Sequence, residues 1–178
     1  MSTIGVFCGS RMVENPQFET HTRNLGRMMA ERGHGLVYGG SGCGYMGIIS
    51  ESVKMYVGKV TAVIPTFFPR SVIESSVELD ELILVENLAE RKAKMFELCD
   101  GFIALPGGIG TLDEATDMLT YTQLGFASKP VVFYNIDGFY DPLKEMLTRM
   151  GDIGFITPNT MKTLFFEDSA DKVLAHIG

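Results

Sequence analysis

The stretch Gly101 to Glu114, GFIALPGGIGTLDE, reads as a buried strand, a glycine turn and the first turn of a helix. Phe102, Ile103, Ala104 and Leu105 form a short apolar run of the kind buried on both faces of a parallel sheet, and Pro106 ends it by removing a ladder donor. Gly107, Gly108 and Gly110 let a ligand approach the main chain closely, and Thr111 opens a helix whose free N–H groups and dipole attract an anion such as phosphate. Three glycines before a helix also make a plain tight turn. Here the turn is answered by a basic pair, Arg91 and Lys92, on the helix just upstream.

Outward from this stretch, strands and helices alternate along the chain. Strands are expected at Thr3 to Phe7, Gly35 to Tyr38, Val60 to Ile64, Leu82 to Val85, Val131 to Tyr134 and Thr163 to Phe166. Helices are expected at Pro16 to Arg32, from the loop Gly39 to Gly47 on to Val57, at Ala89 to Leu98, at Tyr140 to Met150 and at Ser169 to Ile177. A short helix from Ser71 to Ser76 is a further expectation, next to the paired Phe67 and Phe68, which belong to the core or to a subunit contact. Such alternation marks an α/β chain: a Rossmann-like, doubly wound parallel sheet with helices on both faces. At 178 residues, without a linker or low-complexity tract, it is expected to form one domain, 1–178.

The formal charge of −7 argues against a general nucleic-acid binder or an anionic membrane surface, and leaves room for a small phosphorylated ligand that needs only local charge. Cys8, Cys43 and Cys99 make no metal or redox spacing, and no signal peptide or long apolar span is read, so a reducing cytoplasm is the expected location. Cys8, at a strand end with no histidine beside it, reads as a small buried hydrophobe. Ser10 follows as a hydroxyl donor to a ligand. His21, His34 and His176 lie outside the glycine loops, which leaves acid–base chemistry to carboxylates and arginine. No GxxxxGK[ST] loop is present, which argues against nucleoside triphosphate hydrolysis, and no lysine sits in a recognisable setting for a pyridoxal Schiff base; no cofactor is expected, and with the histidines outside the glycine loops no metal either.

On the helix Ala89 to Leu98, Arg91 shares a stripe with Met95 and Leu98, and Lys92 one with Phe96 and Cys99. Both basic residues therefore extend the buried face, while Glu90 and Lys94 are expected to pair in solvent. Inward charges need a partner, and an anion at the neighbouring turn supplies one. In the upstream loop Gly42, Gly44 and Gly47 match GxGxxG, but the acid expected about 20 residues on is missing, because Val60 to Ile64 runs straight into Pro65. Those glycines serve close helix packing or a second stretch of nucleotide-contacting backbone.

The nine residues Pro106 to Glu114 fit PGGxGTxxE, and with Cys8, Gly9 and Ser10, with YGGxxxGxMG as Tyr38 to Gly47, with Arg91 and Lys92, with Gln123 to Gly125 and with Lys129 and Pro130, the chain resembles the LOG (lonely guy) family. These are cytokinin riboside 5′-monophosphate phosphoribohydrolases. Relatives often carry the label lysine decarboxylase, which the residues here do not support. The resemblance implies hydrolysis of AMP or an N6-modified AMP to free base and ribose 5-phosphate, and a homodimer. It makes Arg91 and Glu114 the catalytic pair. The ligand site it implies takes Ser10, then Gly39, Gly40, Gly44, Met46 and Gly47 from the upstream loop, then Lys92, and finally Pro106, Gly107, Gly108, Gly110 and Thr111 beside the pair itself. A site closed around one phosphate would exclude triphosphates.

The sequence departs from the family pattern at Leu88 and Ala89, where methionine and histidine commonly stand, and at Ser41, where a third glycine does. Both departures bear on the base side of the pocket. A nucleotide carrier or sensor that binds without cleaving is the alternative. Glu114 also has an alternative reading, since Thr111 to Glu114 is TxxE, a helix capping box that needs no catalytic role.

Overall fold

Short apolar runs with no alternating polar positions become parallel strands, buried on both faces in the middle of the sheet and partly exposed at its edges. In the computed structural model, which describes residues 1–69 and 78–178, they are β1 (Thr3–Phe7), β2 (Gly35–Tyr38), β3 (Val60–Pro65), β4 (Glu81–Val85), β5 (Gly101–Ala104), β6 (Val131–Tyr134) and β7 (Leu164–Glu167). The helices are α1 (Pro16–Glu31), α2 (Gly44–Met55), α3 (Leu88–Leu98), α4 (Ile109–Gln123), α5 (Asp141–Asp152), α6 (Pro158–Met161) and α7 (Ala170–Ala175). All pairings are parallel and the strand order is β4-β3-β2-β1-β5-β6-β7. This is an α/β fold, a parallel sheet with helices on both faces.

The sheet divides the core in two. Val6, Tyr38, Ile64 and Ile103 pack with α1, α2 and α7, while their neighbours Phe7, Val37, Val63 and Phe102 pack with α3, α4 and α5. That is the period-2 alternation of a strand covered twice. From β1 the chain winds outward to β4 and then returns to place β5 on the other side of β1. The order reverses there, and the crevice beyond the carboxyl ends of β1 and β5 is where open α/β sheets hold ligands.

Differences from the sequence reading have local causes. Helix α4 begins at Ile109, two residues before Thr111, because Gly108 already serves as the cap residue with extended backbone. Helix α6 was missed although its start carries a signal: Thr157 caps it, accepting from the Thr160 N–H, and Pro158 fills the first turn. The short helix expected at Ser71 to Ser76 lies outside the described residues. Phe67 and Phe68 stack at 4.8 Å, but only Phe68 packs on the core, and Phe67 is exposed.

Candidate active site

Two loops meet over the crevice. Gly9 and Ser10 leave β1, and Pro106 to Gly108 leave β5, tied by the Gly9 N–H donating to the Pro106 carbonyl at 3.4 Å. The turn is set from below, where Tyr140 donates its hydroxyl to the Leu105 carbonyl at 2.7 Å. At Gly107 an added Cβ would lie 2.1 Å from Thr111 Oγ1, so the chain's own packing demands glycine. Gly108 and Gly110 differ: no protein atom lies within 4 Å of an added Cβ, so among the described residues nothing but the cleft uses that space. Both line a cavity of about 180 Å³ together with Ser10, Gly39, Met46, Arg91, Thr111 and Glu114. Gly108, Gly110 and Thr111 bring the α4 start, whose first N–H groups have no intrahelical partner, to its wall.

The far wall of this cleft is an ion pair. Arg91 on α3 donates through Nη2 to Glu114 Oε1 on α4, with side chains only 14% and 11% exposed. Burial raises the Glu114 pKa above the ordinary glutamate value, and the Arg91 charge opposes that rise without cancelling it. The Nε of Arg91 is buried and, among the described residues, has no acceptor. An unpaired buried donor costs about 1–3 kcal/mol, which a ligand oxygen would recover.

Several expectations change here. The inward charges of α3 find carboxylates before any ligand arrives: Arg91 has Glu114, and Lys92 lies 3.1 Å from Asp113 and 3.3 Å from Asp117. Burial alone would lower the Lys92 pKa, but those two acids outweigh it and hold the pKa above the ordinary lysine value. Lys92 thereby ties α3 to α4 and does not line the cleft. Glu114 is not a capping-box residue, because the helix starts five residues earlier and its carboxylate turns to Arg91. The capping arrangement sits instead on α3, where Asn87 Oδ1 accepts the Glu90 N–H at 2.9 Å and Glu90 Oε2 accepts the Glu86 N–H at 2.9 Å. Glu90 is thus engaged locally, and Lys94 pairs with Glu97 rather than with it.

The upstream loop is mostly structural. Gly44 adopts φ +59, and an added Cβ would fall 2.4 Å from the Ser10 carbonyl carbon, so it lets α2 press against the Ser10 loop. Gly40 and Gly47 meet Ile64 and Gly42 just as closely, while Gly39 faces the Arg91 guanidinium across the cleft. Of the five loop residues expected at the ligand, Gly39 and Met46 line the cleft. Pro106 and Gly107 line a second cavity on the other side of the turn. Cys8 is buried, and burial followed by the nearby Glu114 charge pushes its thiol pKa well up, which disfavours the thiolate. The histidines are engaged away from the cleft: His21 with the Tyr134 hydroxyl, His34 with the Ser2 N–H and His176 with Glu167. Among the described residues no group of three or more His, Cys, Asp or Glu is placed to hold a metal ion, and no helix is long and apolar enough to cross a membrane.

Residues 46–177 match the family model described as possible lysine decarboxylase. Cytokinin riboside 5′-monophosphate phosphoribohydrolase LOG7 of Arabidopsis thaliana is 37% identical over 175 residues, covering 98% of this chain and 80% of its own length. The corresponding LOG enzyme of Oryza sativa subsp. japonica is 38% identical over 172 residues, covering 96% of this chain and 70% of its own. The chain belongs to the LOG family. Among solved structures, the Moco carrier protein of Chlamydomonas reinhardtii superposes with a TM-score of 0.72 at 21% identity, over 97% of this chain and 93% of that one. The molybdenum cofactor binding protein of Rippkaea orientalis gives 0.72 at 22% identity over the same shares. At such identities these two likenesses speak for the fold alone.

Two pieces of the LOG signature prove to be supports that sequence reasoning left without a role. Lys129 Nζ donates to the carbonyls of Phe96 and Cys99, the latter at 2.7 Å, and sits 4.5 Å from the Phe96 ring centroid. It closes the carboxyl end of α3 and so fixes the helix that carries Arg91. Gln123 at the end of α4 accepts from Thr157 N–H and Thr160 Oγ1 and donates to the Phe155 carbonyl, anchoring α4 to α6. A lysine after a loop and a glutamine at a helix end carry no such meaning locally. Leu88 and Ala89, which together make one of the two departures from the family pattern, are exposed at the start of α3.

Proposed function

We propose that this chain hydrolyses the N-glycosidic bond of a purine nucleoside 5′-monophosphate, AMP or an N6-modified AMP, to free base and ribose 5-phosphate. The observation that carries the reading is the buried Arg91–Glu114 pair facing a cleft that ends at the glycine turn and the α4 N-terminus. In this reading the 5′-phosphate lies on the free N–H groups of the turn beside Ser10 and Thr111, where the helix dipole favours an anion. That anchor sets the sugar with C1′ at Glu114. The C1′–N9 electron pair leaves with the purine, water oxygen bonds to C1′, and the proton that the water loses goes to the purine nitrogen. Glu114 stabilises the cationic sugar and orients the water, and Arg91 holds Glu114 ionised in a site whose burial favours the neutral acid.

The names of the relatives support the substrate class, and exposed Leu88 and Ala89 put the N6 substituent in question. Incubation with AMP and with N6-isopentenyl-AMP, followed by chromatography for free base, tests it. Base released from either supports hydrolysis, and tight binding with no base released makes the chain a carrier.

Because burial raises the Glu114 pKa, the acid limb of the kcat/KM–pH profile is expected above the ordinary glutamate range. Activity is lost as pH falls through that raised value, since the catalytic form is the carboxylate. A limb at the ordinary value would contradict the burial argument.

We further read 1–178 as one nucleotide-binding domain working as a homodimer in the cytoplasm, with a small-molecule partner and no nucleic acid. Edge strand β4 leaves Leu82 and Leu84 exposed, Leu88 follows at the start of α3, and Phe67 is 60% exposed, so a partner covering this edge would bury them. Light scattering is expected to give twice the 19.6 kDa chain mass. A monomer across working concentrations would contradict it.

A further inference from the structure

A second cavity, of about 430 Å³, opens on the other side of the glycine turn. Its wall is largely apolar, from Val13, Phe18, Tyr45 and Phe139, with the exposed Arg11 also lining it. The two cavities share Gly9, Ser10 and Gly108, whereas Arg91 and Glu114 line only the smaller one. The inference rests on the phosphate site proposed above. A nucleotide with its phosphate at the shared residues and C1′ at Glu114 points its sugar away from the larger cavity. What faces that cavity is the far side of the phosphate.

We propose that the larger cavity receives an aromatic group esterified to the 5′-phosphate, so that the chain acts on nucleoside 5′-phosphodiesters as well as on monophosphates. The lining suits a flat ring. Phe18 meets Phe139 edge-on at 5.7 Å and Tyr45 edge-on at 6.3 Å, and such faces and edges accept a further ring in the same geometry. The volume falls within the range of small-molecule pockets. The wall is also preformed: Tyr45 N–H donates to the Gly9 carbonyl at 3.0 Å, and the Val13 N–H donates to the Tyr45 hydroxyl at 3.4 Å, which holds the loop open beside α2.

A diester keeps one negative charge for the turn, and its ring, not a further charge, enters the cavity. Triphosphates are still disfavoured, because their extra charges would enter an apolar space. The chemistry is unchanged. The C1′–N9 bond breaks, water supplies the C1′ hydroxyl and the proton on the base, and the ribose leaves with its 5′-phosphodiester intact.

Adenosine 5′-(phenyl phosphate) is the probe, compared with AMP by release of adenine. The phenyl ester is expected to be cleaved with kcat/KM equal to or above that of AMP. Val13→Trp, on an exposed loop, fills the cavity and is expected to lower kcat/KM for the ester tenfold or more, leaving AMP within twofold. Phe139→Ala should move the same pair in the same direction. AMP cleaved with the ester neither bound nor cleaved overturns the inference and leaves the proposed function standing, as does a Val13→Trp loss equal for both substrates. If neither is cleaved, calorimetry decides: an ester that binds more tightly than AMP supports the cavity and removes only hydrolysis, and an ester that binds no better overturns the cavity.

Discussion

Glu114→Gln is expected to fold like the wild type and to lose roughly a hundredfold or more in turnover of AMP, the general scale of removing a positioned electrostatic group. Glutamine keeps the shape of the side chain and can still accept from Arg91 Nη2, so the α3–α4 contact survives. What disappears is the negative charge that the proposed mechanism sets beside C1′. The helix-cap explanation for this residue is already excluded, because α4 begins at Ile109 and the carboxylate pairs with Arg91. AMP binding by calorimetry should stay within about tenfold, since the proposed phosphate site lies at the glycine turn and not at Glu114. Glu114→Ala tells a different story. It strands a buried guanidinium, and the loss of one partner of a buried pair costs about 3–5 kcal/mol in urea unfolding. A folded Glu114→Gln protein with wild-type turnover would remove Glu114 from the mechanism.

Adenosine is expected to be a poor substrate beside AMP, with kcat/KM lower by about a thousandfold. Two charge-assisted hydrogen bonds from the turn to phosphate, at about 2 kcal/mol each, account for that ratio. The structure adds a steric form of the same prediction. Gly110 sits in the first turn of α4 with open space at its Cβ position, so Gly110→Ala has no clash to relieve and gains up to about 1 kcal/mol of helix propensity. Its methyl group enters the space assigned to phosphate. Thermal unfolding should therefore show equal or greater stability, while KM for AMP rises at least tenfold. Similar turnover of adenosine and AMP, or an unaffected KM in Gly110→Ala, would sink the phosphate anchor.

Much of the sheet was legible because β2, β3, β5 and β6 are short, apolar and bounded by glycine or proline. Gly35–Tyr38 and Val131–Tyr134 keep their expected limits, since each is buried on both faces and no alternation is needed to read it. Arg91 and Glu114 were legible as parts of a motif, and their contact was not: they stand 23 positions apart, and only the packing of α3 on α4 brings them together. Lys92 shows the limit of a helical wheel. It points inward as expected, but a wheel cannot see that Asp113 and Asp117 wait on the neighbouring helix. The glycines divide for the same reason. Gly40 and Gly44 answer to neighbours distant in sequence and Gly47 to Gly42 in its own loop, whereas Gly108 and Gly110 answer to none among the described residues. Spacing alone makes the two classes look alike.

The most direct test is a stoichiometric assay of the purified chain with AMP, quantifying adenine and ribose 5-phosphate together with bound AMP by calorimetry. Equal amounts of adenine and ribose 5-phosphate, formed over many turnovers and lost in Glu114→Gln while AMP still binds, is the predicted result. AMP bound at the cleft with neither product formed would contradict hydrolysis and leave a nucleotide carrier.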